Sequence, residues 1–166
     1  MNKINLERVA EELLDDFFKA GKIAKEISRQ GVKITIKKDN TPVTDGDIKV
    51  NQILTDKIRN LTPEVPIVSE ETVDIAVEEK NKTFWLIDPI DGTKEYIKKG
   101  SEYTLNAALI VDLNPVLGVI FAPEKNRLFF SFGKNSAFEI SDGKRKALNC
   151  RKKEVDETVA LVNSDK

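Results

Sequence analysis

Leu6, Val9, Ala10, Leu13, Leu14, Phe17, Phe18, Gly21 and Ala24 recur at steps of three and four, the spacing that gathers side chains on one face of a helix. The pattern predicts a single long amphipathic helix over residues 5–29. After Gly31 the period falls to two. Lys33-Ile34-Thr35-Ile36-Lys37 alternates as a strand does, and Asp39-Asn40-Thr41-Pro42 supplies turn chemistry. A second helix is predicted over 45–60, with Val50, Ile53, Leu54, Ile58 and Leu61 on its buried stripe.

Beyond residue 61 short β-branched and aromatic runs alternate with turn residues, at 66–69, 84–87, 103–111, 116–121, 128–132 and 137–140. Most read as strands. The turn strings Asp112-Leu113-Asn114-Pro115 and Ser141-Asp142-Gly143-Lys144 are short enough for hairpins, hence an antiparallel meander packed on the helices. The fold class is α+β: two long helices on a largely antiparallel sheet. No repeat or flexible linker interrupts the chain, so residues 1–166 read as one domain, and 158–166 read as the start of a further strand.

Composition narrows the chemistry. The 166 residues carry 27 Lys plus Arg against 28 Asp plus Glu, a net charge of -1, which argues against a polybasic nucleic-acid binder. There is no His, so histidine bases, Ser-His-Asp sites and His-containing zinc sites are excluded. Catalysis must rest on carboxylates, hydroxyls, lysines or a metal held by oxygen. The single cysteine, Cys150, builds neither an intramolecular disulfide nor a thiolate metal site. A reducing cytoplasm is the expected compartment. The opening residues show neither a signal peptide nor a transmembrane segment, and peripheral attachment to the inner face of a membrane stays open.

The densest chemical signal is Phe84-Trp85-Leu86-Ile87-Asp88-Pro89-Ile90-Asp91-Gly92-Thr93-Lys94-Glu95-Tyr96, an apolar strand that ends in two carboxylates. Pro89 fixes its own φ and Gly92 can take positive φ, so a sharp turn can aim Asp88, Asp91 and the Ile90 carbonyl at one point. Hard divalent cations want such oxygen clusters. Thr93 can open a helix whose first N–H groups, at Gly92 and Thr93, face an anion such as phosphate. The competing reading is an ordinary Asp-Gly turn with Thr93 as a cap. Upstream, Glu70 in Pro66-Ile67-Val68-Ser69-Glu70-Glu71 either adds a third carboxylate or begins a surface helix, where acids are favoured. Thr44 and Asp47 have the spacing of a capping box, which suffices as a structural role, and Asp45 reads as solvent-facing charge.

Three strings in this order resemble the magnesium-dependent, lithium-sensitive phosphatase superfamily that includes inositol monophosphatases, fructose bisphosphatases and bisphosphate nucleotidases. They are Asp39 to Thr44 with Asp47, Leu61 to Glu71, and Trp85 to Lys98, supported by Tyr103 to Ile110 and Leu117 to Pro123. Lys94-Glu95 after Asp-Gly-Thr is similar to the 3'(2'),5'-bisphosphate nucleotidase branch. The resemblance implies that Glu70, Asp88 and the Ile90 carbonyl bind one metal and Asp91 a second. It implies that Asp47 joins the water and metal network, that Thr93 orients the attacking water with Glu70, and that Asp91, Gly92 and Thr93 meet the phosphate. The implied cofactor is Mg2+, two or three ions in a complete enzyme. The implied substrate is adenosine 3',5'-bisphosphate, cleaved to AMP and phosphate in the recycling of a sulfate-assimilation by-product. Inositol phosphates or sugar bisphosphates are the rival substrates, and a non-catalytic binding or homodimerising module is the rival class.

Two departures stand out. Asp45-Gly46 replaces the small Ala or Ser that such proteins carry before the Asp of this string. Family members also continue into a second lobe with a Trp-Asp element that completes the second metal site, whereas the only tryptophan here, Trp85, is followed by Leu86. The chain therefore reads as the N-terminal lobe alone, without the C-terminal lobe and with an incomplete site.

Overall fold

The computed structural model describes residues 4–71 and 82–149. The first apolar stripe becomes helix α1 (Leu6–Gln30), whose start is capped by the Asn5 side chain accepting from the Arg8 N–H at 3.0 Å. Gly31 follows at positive φ and closes the last turn through Ile27 and Ser28 carbonyls. A small antiparallel hairpin of β1 (Ile34–Ile36) and β2 (Pro42–Thr44) leads into α2 (Asp45–Leu61). The predicted turn at 39–42 holds only in part: Pro42 is already in β2, a strand of three residues that is too short to show a period of its own.

The remaining strands form one seven-stranded sheet. In order across it lie β3 (Ile67–Ser69), β4 (Phe84–Asp91), β5 (Thr104–Val111), β6 (Asn114–Ala122), β7 (Arg127–Phe132), β8 (Ser136–Ser141) and β9 (Lys144–Ala147). A short helix α3 (Thr93–Ile97) separates β4 from β5. β3 pairs parallel with β4, and every later pair is antiparallel, which is the expected meander. The two predicted hairpins form around Asp112-Leu113 and Asp142-Gly143, all four residues at positive φ as primed turns require. β9 escaped the sequence reading because Lys-Arg-Lys-Ala has no apolar face. It is a fully exposed edge strand, and its cations discourage further pairing.

α1 and α2 lie together on one face of this sheet. Leu13, Phe17, Leu54 and Ile58 from the helices meet Trp85, Ile87, Leu105 and Leu117 from the strands in a single core. Trp85 is fully buried, and its indole N–H donates to Thr62 Oγ1 at 2.9 Å, tying the C-terminal end of α2 to β4. Truncating a tryptophan so placed costs about 3–5 kcal/mol. At the far edge, Arg145 of β9 lies 3.9 Å from the Phe138 ring centroid and pairs with Glu11 of α1 at 2.6 Å. On the opposite face of the sheet, Leu86 and Ile120 are 47% and 48% exposed. No helix among the described residues is long and apolar enough to cross a membrane. The predicted strand at 158–166 lies outside the described residues.

Candidate metal and phosphate site

Asp88 and Asp91 are three residues apart, a spacing that points side chains to opposite faces of a regular strand. A β-bulge removes that conflict. Asp88 pairs with Asn106 and Asp91 with Thr104, so β4 spends three steps where β5 spends two, and the extra residue falls at Pro89-Ile90. Gly92 then turns the chain at φ 96, in the left-handed region, and heads α3 as its N-cap residue. A Cβ there would stand 2.7 Å from the Glu102 carbonyl oxygen, so both the dihedral and the space select glycine. Thr93 is the first helical residue rather than the cap, and its hydroxyl donates to the Ile90 carbonyl at 3.1 Å.

Glu70 is brought alongside by β3. Its backbone N–H donates to the Ile87 carbonyl at 3.1 Å, one residue before Asp88, so it extends the parallel ladder; the residues that would continue a surface helix from Glu71 lie outside the described residues. Asp47 reaches the region from the first turn of α2, where Thr44 and Asp47 form the expected capping box. Asp47 Oδ2 accepts from the Thr44 N–H at 2.8 Å and from the Thr44 hydroxyl. Burial pushes the Asp47 carboxyl up, and the charge of Glu70 adds to it. Asp45 is not the solvent-facing charge expected from the sequence. Its Oδ1 accepts from the Lys33 N–H at 3.0 Å and its own N–H donates back to the Lys33 carbonyl, which clamps β1 to α2.

Asp88 is where the electrostatics concentrate. Burial, then the charges of Glu70 and Asp91, raise its carboxyl from 3.8 to about 7. Its Oδ1 is buried with no hydrogen-bond partner. A buried anionic oxygen without a donor is costly unless a cation meets it. Glu70 and Asp91 stand near enough for their charges to act on Asp88, and carboxylate oxygens are hard donors of the kind that hold Mg2+. Among the described residues no three His, Cys, Asp or Glu side chains stand close enough together to hold a metal ion by themselves. Glu70 is drawn aside to Lys37 Nζ at 3.3 Å, and Lys37 also pairs with the nearly buried Glu71 at 2.9 Å. The donor chemistry and the orphaned Asp88 oxygen fit a divalent cation, with that ammonium balancing part of the acidic charge.

In front of these groups opens a cleft of about 960 Å3, lined by Glu70, Asp91, Gly92 and Thr93 and continuing along α3. The sequence reading missed two residues that shape it. Lys37 had no motif to mark it, and only the hairpin's fold carries it to Glu70. Tyr96, buried on α3, donates its hydroxyl to the Ala24 carbonyl of α1 at 2.7 Å and packs edge-on against Tyr103 at 5.0 Å. A Cβ on Gly46 would lie 2.4 Å from the Tyr96 hydroxyl oxygen, which gives the unusual glycine beside Asp47 its physical reason. Tyr96 thus fixes α3, and with it Gly92 and Thr93, against both long helices.

The sequence profile of the inositol monophosphatase family matches residues 5–164. The 3'(2'),5'-bisphosphate nucleotidase CysQ of Aggregatibacter actinomycetemcomitans is 38% identical over 126 residues, 75% of this chain and 47% of the relative. The crystal structure of CysQ from Bacteroides thetaiotaomicron superposes with a TM-score of 0.64 at 34% identity, over 84% of this chain and 51% of that one. An IMPase/NADP phosphatase solved with Mg2+ and phosphate shares the fold, with a TM-score of 0.71 at 19% identity over 82% of this chain and 52% of that one. The chain spans about half the length of the relatives it matches. With the bulged Asp-Pro-Ile-Asp-Gly-Thr turn, the capped second helix and these matches together, the chain belongs to the inositol monophosphatase family.

Proposed function

We propose that this chain carries the metal- and phosphate-binding lobe of a Mg2+-dependent phosphomonoesterase that removes the 3'-phosphate of adenosine 3',5'-bisphosphate, giving AMP and phosphate. The observation that carries the reading is the buried, partnerless Asp88 oxygen beside Glu70 and Asp91, at the foot of a left-handed Gly92 turn. The substrate reading is supported by the similarity to relatives named as 3'(2'),5'-bisphosphate nucleotidases and by the resemblance of Lys94-Glu95 after the Asp-Gly-Thr string to that branch.

Glu70, Asp88 and the Ile90 carbonyl would hold one ion and Asp91 a second, with a third ion in a complete enzyme left to the substrate complex. Bound Mg2+ supplies positive charge that lowers the pKa of water and stabilises the charge of the leaving alkoxide. The reaction is hydrolysis by in-line attack of water on phosphorus. Thr93 keeps its hydroxyl lone pairs available while its proton is held by the Ile90 carbonyl, so it accepts from that water. Glu70 and Asp47 would complete the orientation of that water. The Gly92 and Thr93 N–H groups at the head of α3 face the phosphate oxygens. No histidine and no covalent intermediate are required.

The Trp-Asp element of the family has no counterpart in this sequence, and we place the remaining metal ligand and the base and ribose contacts in a second lobe. Calorimetry with Mg2+ and phosphate release from adenosine 3',5'-bisphosphate test both parts with the 166-residue chain. Mg2+ binding with little turnover is the expected result. Full, lithium-sensitive turnover contradicts the incomplete site, and no Mg2+ binding leaves a non-catalytic module. Preference of the longer enzyme for inositol phosphate would move the substrate to the rival class.

A further inference from the structure

Where α2 meets the β3 edge of the sheet, a neutral polar pair is sunk in the core: Asn51 and Ser69 are only 6% and 3% exposed. Ser69 Oγ donates to Asn51 Oδ1 at 2.7 Å, across 18 residues of chain. The same hydroxyl accepts from the Glu71 N–H at 3.3 Å, so it holds the chain on both sides of Glu70. Asn51 follows Asp47 by one helical turn and shares its face of α2. Ser69 takes an inward step of β3, as its register partner Ile87 does in β4, and the next step of each strand carries Glu70 and Asp88.

Packing alone does not call for this pair. A buried hydrogen bond contributes little net stability, and two apolar groups of the same shape would hold the layers together about as well. What the bond adds is a fixed direction and distance. Both are needed here, because the Glu70 charge acts on Asp47 and like charges push apart the elements that carry them. Glu70 is also drawn toward Lys37 at 3.3 Å, so its place depends on what anchors the strand end behind it.

We propose that Asn51 and Ser69 are positioning residues for the metal centre, whose hydrogen bond pins the end of β3 to α2 and keeps Glu70 in place beside Asp88 and Asp47. This role rests on the phosphatase reading above and deepens it. Both residues act through Glu70, and neither is assigned a contact with the ion or the phosphate.

Two variants test it. Ser69→Ala removes the hydroxyl, and Asn51→Leu combined with Ser69→Ala replaces the hydrogen bond by apolar contact. The paired change guards against a variant that fails to fold, since it leaves no polar atom of the pair behind. Each is compared with the unsubstituted 166-residue chain by Mg2+ calorimetry, thermal unfolding and, in chelator, amide hydrogen exchange. Both should bind Mg2+ about tenfold more weakly, the paired change losing no more than Ser69→Ala alone. Ser69→Thr keeps a hydroxyl and should stay within about twofold. The Glu70 N–H should exchange about tenfold faster in Ser69→Ala, while the Trp85 N–H, which donates to the Pro66 carbonyl at 2.8 Å earlier in the same ladder, should keep its rate. A merely structural pair gives another pattern, with Mg2+ affinity unchanged in the folded variants, or with Glu70 and Trp85 exchange rising together as stability falls. Either result overturns the positioning role and leaves the phosphatase reading intact. Failure of the unsubstituted chain to bind Mg2+ overturns both.

Discussion

Asp88 sets the pH behaviour of the metal-free protein. Its carboxyl is raised from 3.8 to about 7 by burial and by Glu70 and Asp91, so ionising it costs more in the folded than in the unfolded chain. The stability linked to this group is therefore fully present below about pH 4 and is lost as pH rises through about 7. In chelator, the melting temperature should fall between about pH 4 and pH 7, and Asp88→Asn should flatten that fall while abolishing Mg2+ binding in calorimetry. Equal slopes in both proteins would remove Asp88 as the cause. Gly92 makes the opposite kind of contribution, through space and dihedral angle. Gly92→Ala places a Cβ against the Glu102 carbonyl at a φ of 96 and should destabilise by about 1–3 kcal/mol, with phosphate affinity falling as the two amides move. Thermal unfolding and phosphate titration of the variant read the two effects separately. Both aspartates and this glycine were legible in the sequence, because Asp-Pro-Ile-Asp-Gly-Thr is local. Lys37 was not, since its only link to Glu70 is through space, 33 residues along the chain.

At the scale of elements, periodicity identified α1 and α2 nearly to their ends, and the strands of the meander within a few residues, since each buries a face with a regular spacing. It failed where an element's reason lies in its neighbour. β2 exists because β1 offers it hydrogen bonds, and β9 because β8 leaves an edge. The β4 bulge is likewise visible only from its register with β5. The hairpin at Asp112-Leu113 carries a local misfit that yields a prediction. Leu113 stands at φ 63 with 66% of its surface exposed, so its side chain gains little and strains the turn. Leu113→Gly should relieve strain of about 1–2 kcal/mol, offset in part by the extra entropy of glycine, for a net gain of up to about 1 kcal/mol. Chemical denaturation would show it as a higher midpoint at unchanged slope, and a lower midpoint would mean that the side chain packs usefully after all.

Across the whole molecule, stability and chemistry occupy different places. The core runs between α1, α2 and one face of the sheet, whereas the acidic groups collect at the end of β4 where the chain leaves that core. Removing Mg2+ with a chelator should therefore leave the far-ultraviolet circular dichroism unchanged, and adding it at about pH 8 should raise the melting temperature by mass action. A chain that unfolds in chelator would show the metal to be structural. The sequence alone determined the α+β class, the two helices, the meander and the identity of the acidic turn, because each depends on short-range periodicity or on residues adjacent in the chain. Tertiary structure alone decided that a bulge turns Asp88 and Asp91 toward one another, that Asp45 clamps a hairpin instead of facing water, and that Tyr96 requires Gly46. It also decided that Asn51 of α2 and Ser69 of β3 meet in the core. Those are relations across the sheet and between layers, fixed by packing and register, which one-dimensional spacing does not encode.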